Sequence, residues 1–223
     1  FLFGLVAERV DDGGVDAQGR WWIGSLFAPK THAGAGLYCL ERGELKAILG
    51  EQATQKPWQD WGVTTANGWA MSPDGTHLYH ADTQAHTVYR YDFSAQLPVE
   101  SALSHRQVFF QTVDTRQQSN PSEPYQGRPD GAVVDSAGNY WGALFEGGQI
   151  VQTAPDGTIL QKIALPAKCP TMPCFGGADL KTLIITTTGD RPANELAQYP
   201  ANGFILSIQL PVAGLPTRRY HPQ

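Results

Sequence analysis

Short runs of β-branched and aromatic residues alternate with polar turn segments along the whole chain. The runs have the composition of strands and are too short for helices. They include residues 21–23, 37–40, 87–91, 107–110, 149–152 and 183–187. No segment repeats apolar positions at the 3.6-residue spacing of a helix over a useful length. The pattern therefore predicts an all-β protein.

The turn segments repeat. Residues 11–19, 67–75 and 130–138 each begin with an oxygen-bearing side chain, end in a turn glycine and lead into a strand. A repeat of this size indicates stacked or radially arranged units. If the units surround an axis, equivalent positions converge on it. We therefore expect the three opening residues, Asp11, Asn67 and Asp130, to meet in one small volume.

The content of each unit indicates its architecture. The opening residues are 56 and 63 positions apart, and each interval holds about four short strands, as in a propeller blade. A β-sandwich with accidental similarity between segments is the alternative. The chain has 223 residues, which at roughly 45–55 residues per unit is between four and five blades. Because an open ring exposes sheet edges, we expect one or two N-terminal blades to be missing from a single propeller domain over residues 1–223.

Composition excludes several classes of protein. The net charge of −5 argues against a nucleic-acid groove, and no apolar run approaches the roughly 20 residues of a membrane helix. Three cysteines do not form a disulfide framework. Cys169 and Cys174 are either bridged across a small loop or remain two buried thiols.

Four segments, in order, resemble one known family. They are residues 9–16, 67–75, 128–132 and 170–177, and they are similar to motifs of the SMP-30/gluconolactonase/LRE-like family, which includes regucalcin. The resemblance implies a six-bladed β-propeller of four-stranded antiparallel blades with one divalent cation in the central channel.

The same resemblance implies a ligand set. Asn67 and Asp130 match family metal ligands, and a third ligand, a glutamate, is expected upstream of Phe1. Carboxylate and amide oxygens are hard ligands, so calcium is the expected ion, with zinc, magnesium or manganese as alternatives. Asp130 is also the expected general base.

The segment Arg9-Val10-Asp11-Asp12 matches a substrate-contact motif in which the family has Asn at the place of Asp11. The resemblance therefore implies substrate binding by Arg9 and Asp11, although an exposed salt bridge is an alternative role for Arg9. We expect Asp12, like Asp16 and Asp135, to be a turn residue.

These observations predict a metal-dependent hydrolase that opens a sugar lactone. The alternatives are a non-catalytic metal- or ligand-binding propeller and a lactonase or esterase of broader range. The expected partner is a small sugar lactone, with no nucleic acid and no membrane, in the cytoplasm. The sequence does not indicate an oligomeric state.

Overall fold

The computed structural model describes residues 8–53, 57–116, 118 and 122–222. These residues form fifteen strands and one short α-helix, α1 (Ala193–Gln198), with 3-10 turns at Trp58–Trp61 and Val99–Ser101. The strands are β1 Glu8–Val15, β2 Trp21–Phe27, β3 Leu37–Glu41, β4 Glu44–Leu49, β5 Ala66–Met71, β6 His77–Asp82, β7 Thr87–Phe93, β8 Leu103–Gln111, β9 Arg128–Val134, β10 Tyr140–Phe145, β11 Gln149–Thr153, β12 Ile159–Ala164, β13 Pro170–Gly176, β14 Thr182–Thr187 and β15 Ile205–Gln209.

The strands form four antiparallel sheets in which sequence neighbours pair. β1–β4, β5–β8 and β9–β12 form four-stranded sheets, and β13–β15 form a three-stranded one. Neighbouring strands are joined by tight turns, as the Gly- and Asp-rich segments predict. The all-β prediction is confirmed.

The sheets are arranged radially. The first strand of each sheet contacts the first strand of the next, in the order β1, β5, β9 and β13. Buried side chains lie between neighbouring sheets: Trp22 and Leu78 between the first two, and Tyr79 and Tyr140 between the second and third. Leu183 continues the pattern between the third and fourth. The fold is therefore a β-propeller, and the sandwich alternative is wrong.

A buried aspartate holds the turn between the first two strands of a sheet. Asp135 is 0% exposed, and its Oδ1 accepts the backbone N–H groups of Ala137 and Asn139, each at 2.9 Å. Its Oδ2 accepts the indole N–H of Trp141 at 2.8 Å. Asp16 accepts the indole N–H of Trp22 in the same way, at 2.9 Å. The prediction that Asp16 and Asp135 are turn residues is confirmed.

Two expectations need correction. Residues 175–180 have a Gly-Gly and Asp pattern that, from the sequence, indicates the start of a further unit. The inner strand of the fourth sheet is instead β13, which ends at Gly176, and the N–H of Leu180 donates to the carbonyl of Gly177 in a turn. The two alternatives for Cys169 and Cys174 also need correction. Both cysteines are free, so the bridge is wrong, and Cys169 is a buried thiol as expected whereas Cys174 is exposed.

The segment after β15 returns to the first sheet. The N–H of His221 donates to the carbonyl of Gly19 at 3.0 Å, so this C-terminal tail joins the fourth sheet to the first. Within the described ranges, no helix is both long and apolar enough to cross a bilayer.

Candidate functional site

Each of the four inner strands is interrupted by a bulge at the same level of the channel. The register shifts between Val10 and Gly13 in β1 and between Asn67 and Ala70 in β5. Equivalent shifts occur in β9, opposite Ala143, and in β13. The residues within the bulges are Asp11, Asp12, Gly68, Trp69, Asp130, Gly131, Thr171 and Met172. Because a bulge redirects side chains, this level of the channel is where polar groups can gather.

Asp130 is a half-buried carboxyl in this level of β9. Its pKa is raised to about 8, chiefly by burial. The negative charges of Asp11 and Asp12 raise the pKa further, because like charges disfavour the ionised form. The N–H of Gly131 and the charge of Arg128 oppose the shift.

Asp12 belongs to the same group, and the prediction that it is a turn residue is wrong. Its Oδ2 accepts the backbone N–H of Trp69 at 3.1 Å and its Oδ1 that of Gly13 at 2.7 Å. These bonds tie the first inner strand to the second. Burial nevertheless raises the pKa of Asp12 to about 6. The only signal in the sequence is the second acid beside Asp11.

Asp11 is exposed at the mouth of the channel. Partial loss of its hydration raises its pKa, and the charge of Lys30, from the loop after β2, opposes the change. Arg9 is also exposed. Within the described part of the chain, no hydrogen bond or ion pair joins Arg9 to these carboxyls, so the structure does not bring it into the group.

Asn67 is 6% exposed and begins the bulge of β5. Its Nδ2 donates to Thr83 Oγ1 at 2.9 Å, and Thr83 Oγ1 donates to the carbonyl of Pro129 at 2.7 Å. Because Thr83 holds the amide nitrogen of Asn67, the amide oxygen Oδ1 points away from Thr83. The Thr83 hydroxyl also bridges Asn67 to the residue that precedes Asp130.

Asp82 holds the loop that carries Thr83. Its Oδ1 accepts the N–H of Gln84 at 3.1 Å and its Oδ2 that of Thr64 at 3.3 Å. The sequence did not indicate Thr83, because a threonine in a turn has no feature that marks it as a support.

Glycines allow the inner strands to approach at this level. Gly68 has φ +58°, and a Cβ there would lie 2.4 Å from the Tyr140 hydroxyl and 3.2 Å from the carbonyl oxygen of Asp130. The same hydroxyl donates to the carbonyl of Gly68 at 3.2 Å. A larger side chain at position 68 would push β5 away from β9.

The donors fit a hard cation. Asn67 and Asp130 offer oxygen atoms, and the carboxyls of Asp11 and Asp12 add negative charge beside Asp130. No group of three or more His, Cys, Asp or Glu side chains suitable for a metal occurs among the described residues. A complete shell therefore needs the Asn67 amide and further ligands such as water.

Below this level the channel becomes apolar. A cavity of about 290 Å³ is lined by Met71, Met172 and Phe175 from the inner strands and by residues 215–218 of the C-terminal tail. The channel thus has a polar mouth near Asp11 and an apolar lower end crossed by the tail.

Comparison with known proteins identifies the family. The chain is 39% identical to a 6-deoxy-6-sulfogluconolactonase of Pseudomonas putida, over 95% of this chain and 65% of that protein. It is 33% identical to a pentonolactonase of Haloferax volcanii, over 81% of this chain and 54% of that protein. The crystal structure of regucalcin from Agrobacterium tumefaciens, described as a calcium-binding protein, superposes with a TM-score of 0.78 at 23% identity, over 98% of this chain and 66% of that one.

The chain therefore spans about two thirds, or less, of the length of these relatives. Residues 6–189 match the family model described as the SMP-30/Gluconolactonase/LRE-like region. The match covers most of the chain and includes all four segments that carry the resemblance in the sequence. The chain belongs to the SMP-30/gluconolactonase/LRE-like family.

Proposed function

We propose that this protein hydrolyses a sugar lactone and requires a divalent cation to do so. The observation that carries the proposal is that Asp11, Asp12 and Asp130 lie in the bulges of the inner strands, with Asn67 joined through Thr83 to the residue before Asp130. Two relatives are named as a 6-deoxy-6-sulfogluconolactonase and a pentonolactonase, which supports the substrate class.

Asn67 and Asp130 would hold the cation through their side-chain oxygens. The third ligand is expected upstream of Phe1, outside the described residues. The oxygen donors favour calcium, with zinc, magnesium or manganese as alternatives, and a structural relative is described as calcium-binding. When bound, a cation of this kind polarises a lactone carbonyl and stabilises the negative charge that develops on its oxygen.

Asp130 would act as the general base. One carboxylate oxygen would hold the cation, and the other would accept a proton from the water that adds to the carbonyl carbon. When the ring C–O bond breaks, the proton passes from Asp130 to the departing alkoxide, and the products are a hydroxyl and a carboxylic acid. Asp12 is held by the N–H of Trp69, so it would keep its charge beside Asp130 in one position.

Arg9 and Asp11 would bind the substrate from the mouth of the channel. Both side chains are exposed, so they would be free to meet sugar hydroxyls. An ionised Asp11 only accepts hydrogen bonds, whereas the asparagine of the family motif also donates. We therefore expect a substrate preference different from that of a relative with asparagine at this place.

We also propose that the complete ring has six blades, of which this chain supplies four. The chain spans 65% of the length of the sulfogluconolactonase. The fourth sheet exposes Phe204 and Ile205, which are 63% and 72% exposed, and a further blade would cover such side chains.

A pH-stat assay on glucono-δ-lactone and a pentonolactone, with and without chelator, tests the function. We expect a rate above spontaneous hydrolysis that is lost on chelation and returns with added cation. Asp130→Asn should lower kcat by about 10³-fold, the size of general-base catalysis. Asp156→Asn, the same change in an exposed turn, should have no effect.

The other outcomes identify the alternatives. A rate equal to spontaneous hydrolysis, with cation binding intact, would replace the proposal by a non-catalytic binding propeller. Turnover of simple aryl esters at the same rate as lactones would indicate an esterase of broader range.

A further inference from the structure

Three guanidinium groups surround one carboxylate at the edge of the third sheet where β10 ends. Glu146, in the turn after β10, lies 3.2 Å from Arg116, 3.5 Å from Arg128 and 3.0 Å from Arg191. The group joins the segment before β9, the start of β9 and the loop before α1. One carboxylate cannot neutralise three guanidinium groups, so the partners of each arginine decide where positive charge remains.

Two of the arginines have a second carboxylate. Arg116 donates to both oxygens of Asp114, at 2.8 and 2.7 Å. Arg191 donates to both oxygens of Glu195, at 2.6 and 3.2 Å. Such paired bonds are the strong form of an arginine–carboxylate contact, so the charge of these two residues is largely compensated.

Among the residues that the structure describes, Arg128 has no such partner. Its one ion-pair contact with them is the 3.5 Å distance to Glu146 Oε2, an oxygen that Arg116 already approaches more closely. Its Nε is buried and makes no hydrogen bond within the described part of the chain. The guanidinium carbon lies 5.1 Å from the centre of the Phe145 ring, and 19% of the side chain remains exposed.

The wider group keeps an excess of positive charge. Lys168 adds a fourth cation, 2.8 Å from Glu195. The four cations Arg116, Arg128, Lys168 and Arg191 thus face three carboxylates, Asp114, Glu146 and Glu195. A cavity of about 520 Å³ is bordered by two of these cations, Arg116 and Lys168, together with Glu146 and Tyr199.

Arg128 also belongs to the candidate site. It lies two residues before Asp130 on β9, and its charge lowers the pKa of that carboxyl. Two positions along an extended strand span about 7 Å at the backbone, so Arg128 and Asp130 start from neighbouring points of β9. A substrate whose carbonyl is beside Asp130 therefore has a partly unsatisfied guanidinium within the length of a sugar.

We propose that Arg128 binds an anionic substituent of the lactone, such as a carboxylate, sulfonate or phosphate, at the end of the sugar away from the ring carbonyl. This inference rests on the proposed function and names its substrate class. A guanidinium presents two parallel N–H groups that match the oxygens of such an anion. A neutral hydroxyl would leave the positive charge of Arg128 without a second anionic partner. The guanidinium therefore favours a substrate that carries an acidic substituent.

Kinetics on matched lactones test the assignment. Glucono-δ-lactone is compared with its 6-phosphate and 6-sulfonate, for the wild type, Arg128→Gln, Arg128→Lys and Arg106→Gln. Arg106 stacks on Tyr89 in the second sheet, 3.7 Å from the ring centre, and serves as the control for loss of one surface charge. The midpoint of thermal unfolding is measured for each variant.

Loss of a paired charged hydrogen bond corresponds to a change of about 10- to 100-fold. We expect Arg128→Gln to raise KM for both anionic lactones by this factor relative to the KM for glucono-δ-lactone. A change of kcat that all three lactones share reports only the loss of a positive charge near Asp130. The KM of Arg128→Lys for the anionic lactones should lie between the values of the wild type and Arg128→Gln. The lysine variant replaces the glutamine variant if the latter unfolds. A preference for only one of the two anions identifies which substituent the site accepts.

If Arg128→Gln raises KM equally for neutral and anionic lactones, or raises it for neither, the assignment is overturned while the proposed function stands. If the wild type opens none of the lactones, the function fails instead. The assignment is then judged by calorimetric binding of glucitol 6-phosphate against glucitol, neither of which can be hydrolysed as a lactone. Tighter binding of the phosphate that Arg128→Gln abolishes supports the subsite, and equal binding of the two compounds rejects it.

Discussion

Replacing Asp130 by asparagine should flatten the pH dependence of stability of the metal-free protein. In the folded state the pKa of Asp130 is about 8, against an ordinary value of 3.8. A carboxyl whose pKa is raised by folding binds its proton more tightly in the folded state. The wild-type free energy of unfolding should therefore fall as the pH rises from about 4 to 8, and the loss should be complete above pH 8.

The size of the effect follows from the shift. A change from 3.8 to about 8 corresponds to about 6 kcal/mol at roughly 1.4 kcal/mol per pH unit. Asp130 is only half-buried, and water at the mouth of the channel screens its charge. We expect about a third of the full value, about 2 kcal/mol, between pH 5 and 8.5. Asp12, with a pKa of about 6, adds a smaller change of the same sign.

Urea unfolding followed by tryptophan fluorescence, in the presence of a chelator, measures this change. The Asp130→Asn variant should lose about 2 kcal/mol less than the wild type over that range. Asp74→Asn is the matched control, because Asp74 lies in an exposed turn and its pKa is lowered to about 2 by hydrogen bonds from Ser72 and Thr76. Asp74 titrates below pH 5. The free energy of unfolding of Asp74→Asn should therefore change with pH between 5 and 8.5 as much as that of the wild type.

The reasoning is refuted if the metal-free wild type is equally stable at pH 5 and 8.5. It is also refuted if Asp130→Asn keeps the wild-type slope, since the crowding of carboxyls would then have no energetic consequence.

Two further substitutions test the packing around the site by urea unfolding. Gly68→Ala should lower the free energy of unfolding by about 3 kcal/mol, because its Cβ would meet the Tyr140 hydroxyl at a positive φ. Gly75→Ala, at φ +70° with open space around it, should lower it by only about 1 kcal/mol. Equal decreases would contradict the packing argument. Asp135→Ala should cost about 4 kcal/mol, because it leaves the indole N–H of buried Trp141 and two backbone N–H groups without acceptors; a loss below 1 kcal/mol would show that water replaces the carboxylate.

The blades could be predicted because their signals are local. A turn aspartate such as Asp135 acts on residues within six positions of itself, and alternating strands and turns leave a pattern in the sequence. Radial packing followed from repetition of that pattern. The fourth sheet was misplaced because its inner strand, β13, contains two prolines and does not resemble a strand.

The site was predicted only in part, because a bulge cannot be read from spacing. Asp11, Asn67 and Asp130 are equally distant from their turn glycines, yet Asp11 and Asp130 lie within bulges whereas Asn67 precedes its own. The additional residue of the first bulge brings Asp12 to Trp69. That contact joins positions 57 apart in sequence, and no local pattern contains it.

The group around Glu146 could not be predicted from the sequence either, because it also joins residues that are far apart along the chain. Its arginines come from positions 116, 128 and 191, and each alone resembles an ordinary surface charge. Their convergence depends on how two neighbouring blades place their loops, which is a property of tertiary packing. The C-terminal tail is similar, because a segment with no strand pattern links the two ends of the described chain.

The carboxyls of the channel bear on the product as well as on the substrate. If the protein hydrolyses a lactone as proposed, an uncharged ester becomes a carboxylate next to Asp12 and Asp130. The formal negative charge of Asp11, Asp12 and Asp130 exceeds the charge of one divalent cation, so the product would be repelled towards solvent. Added salt should then slow product release, because salt screens that repulsion.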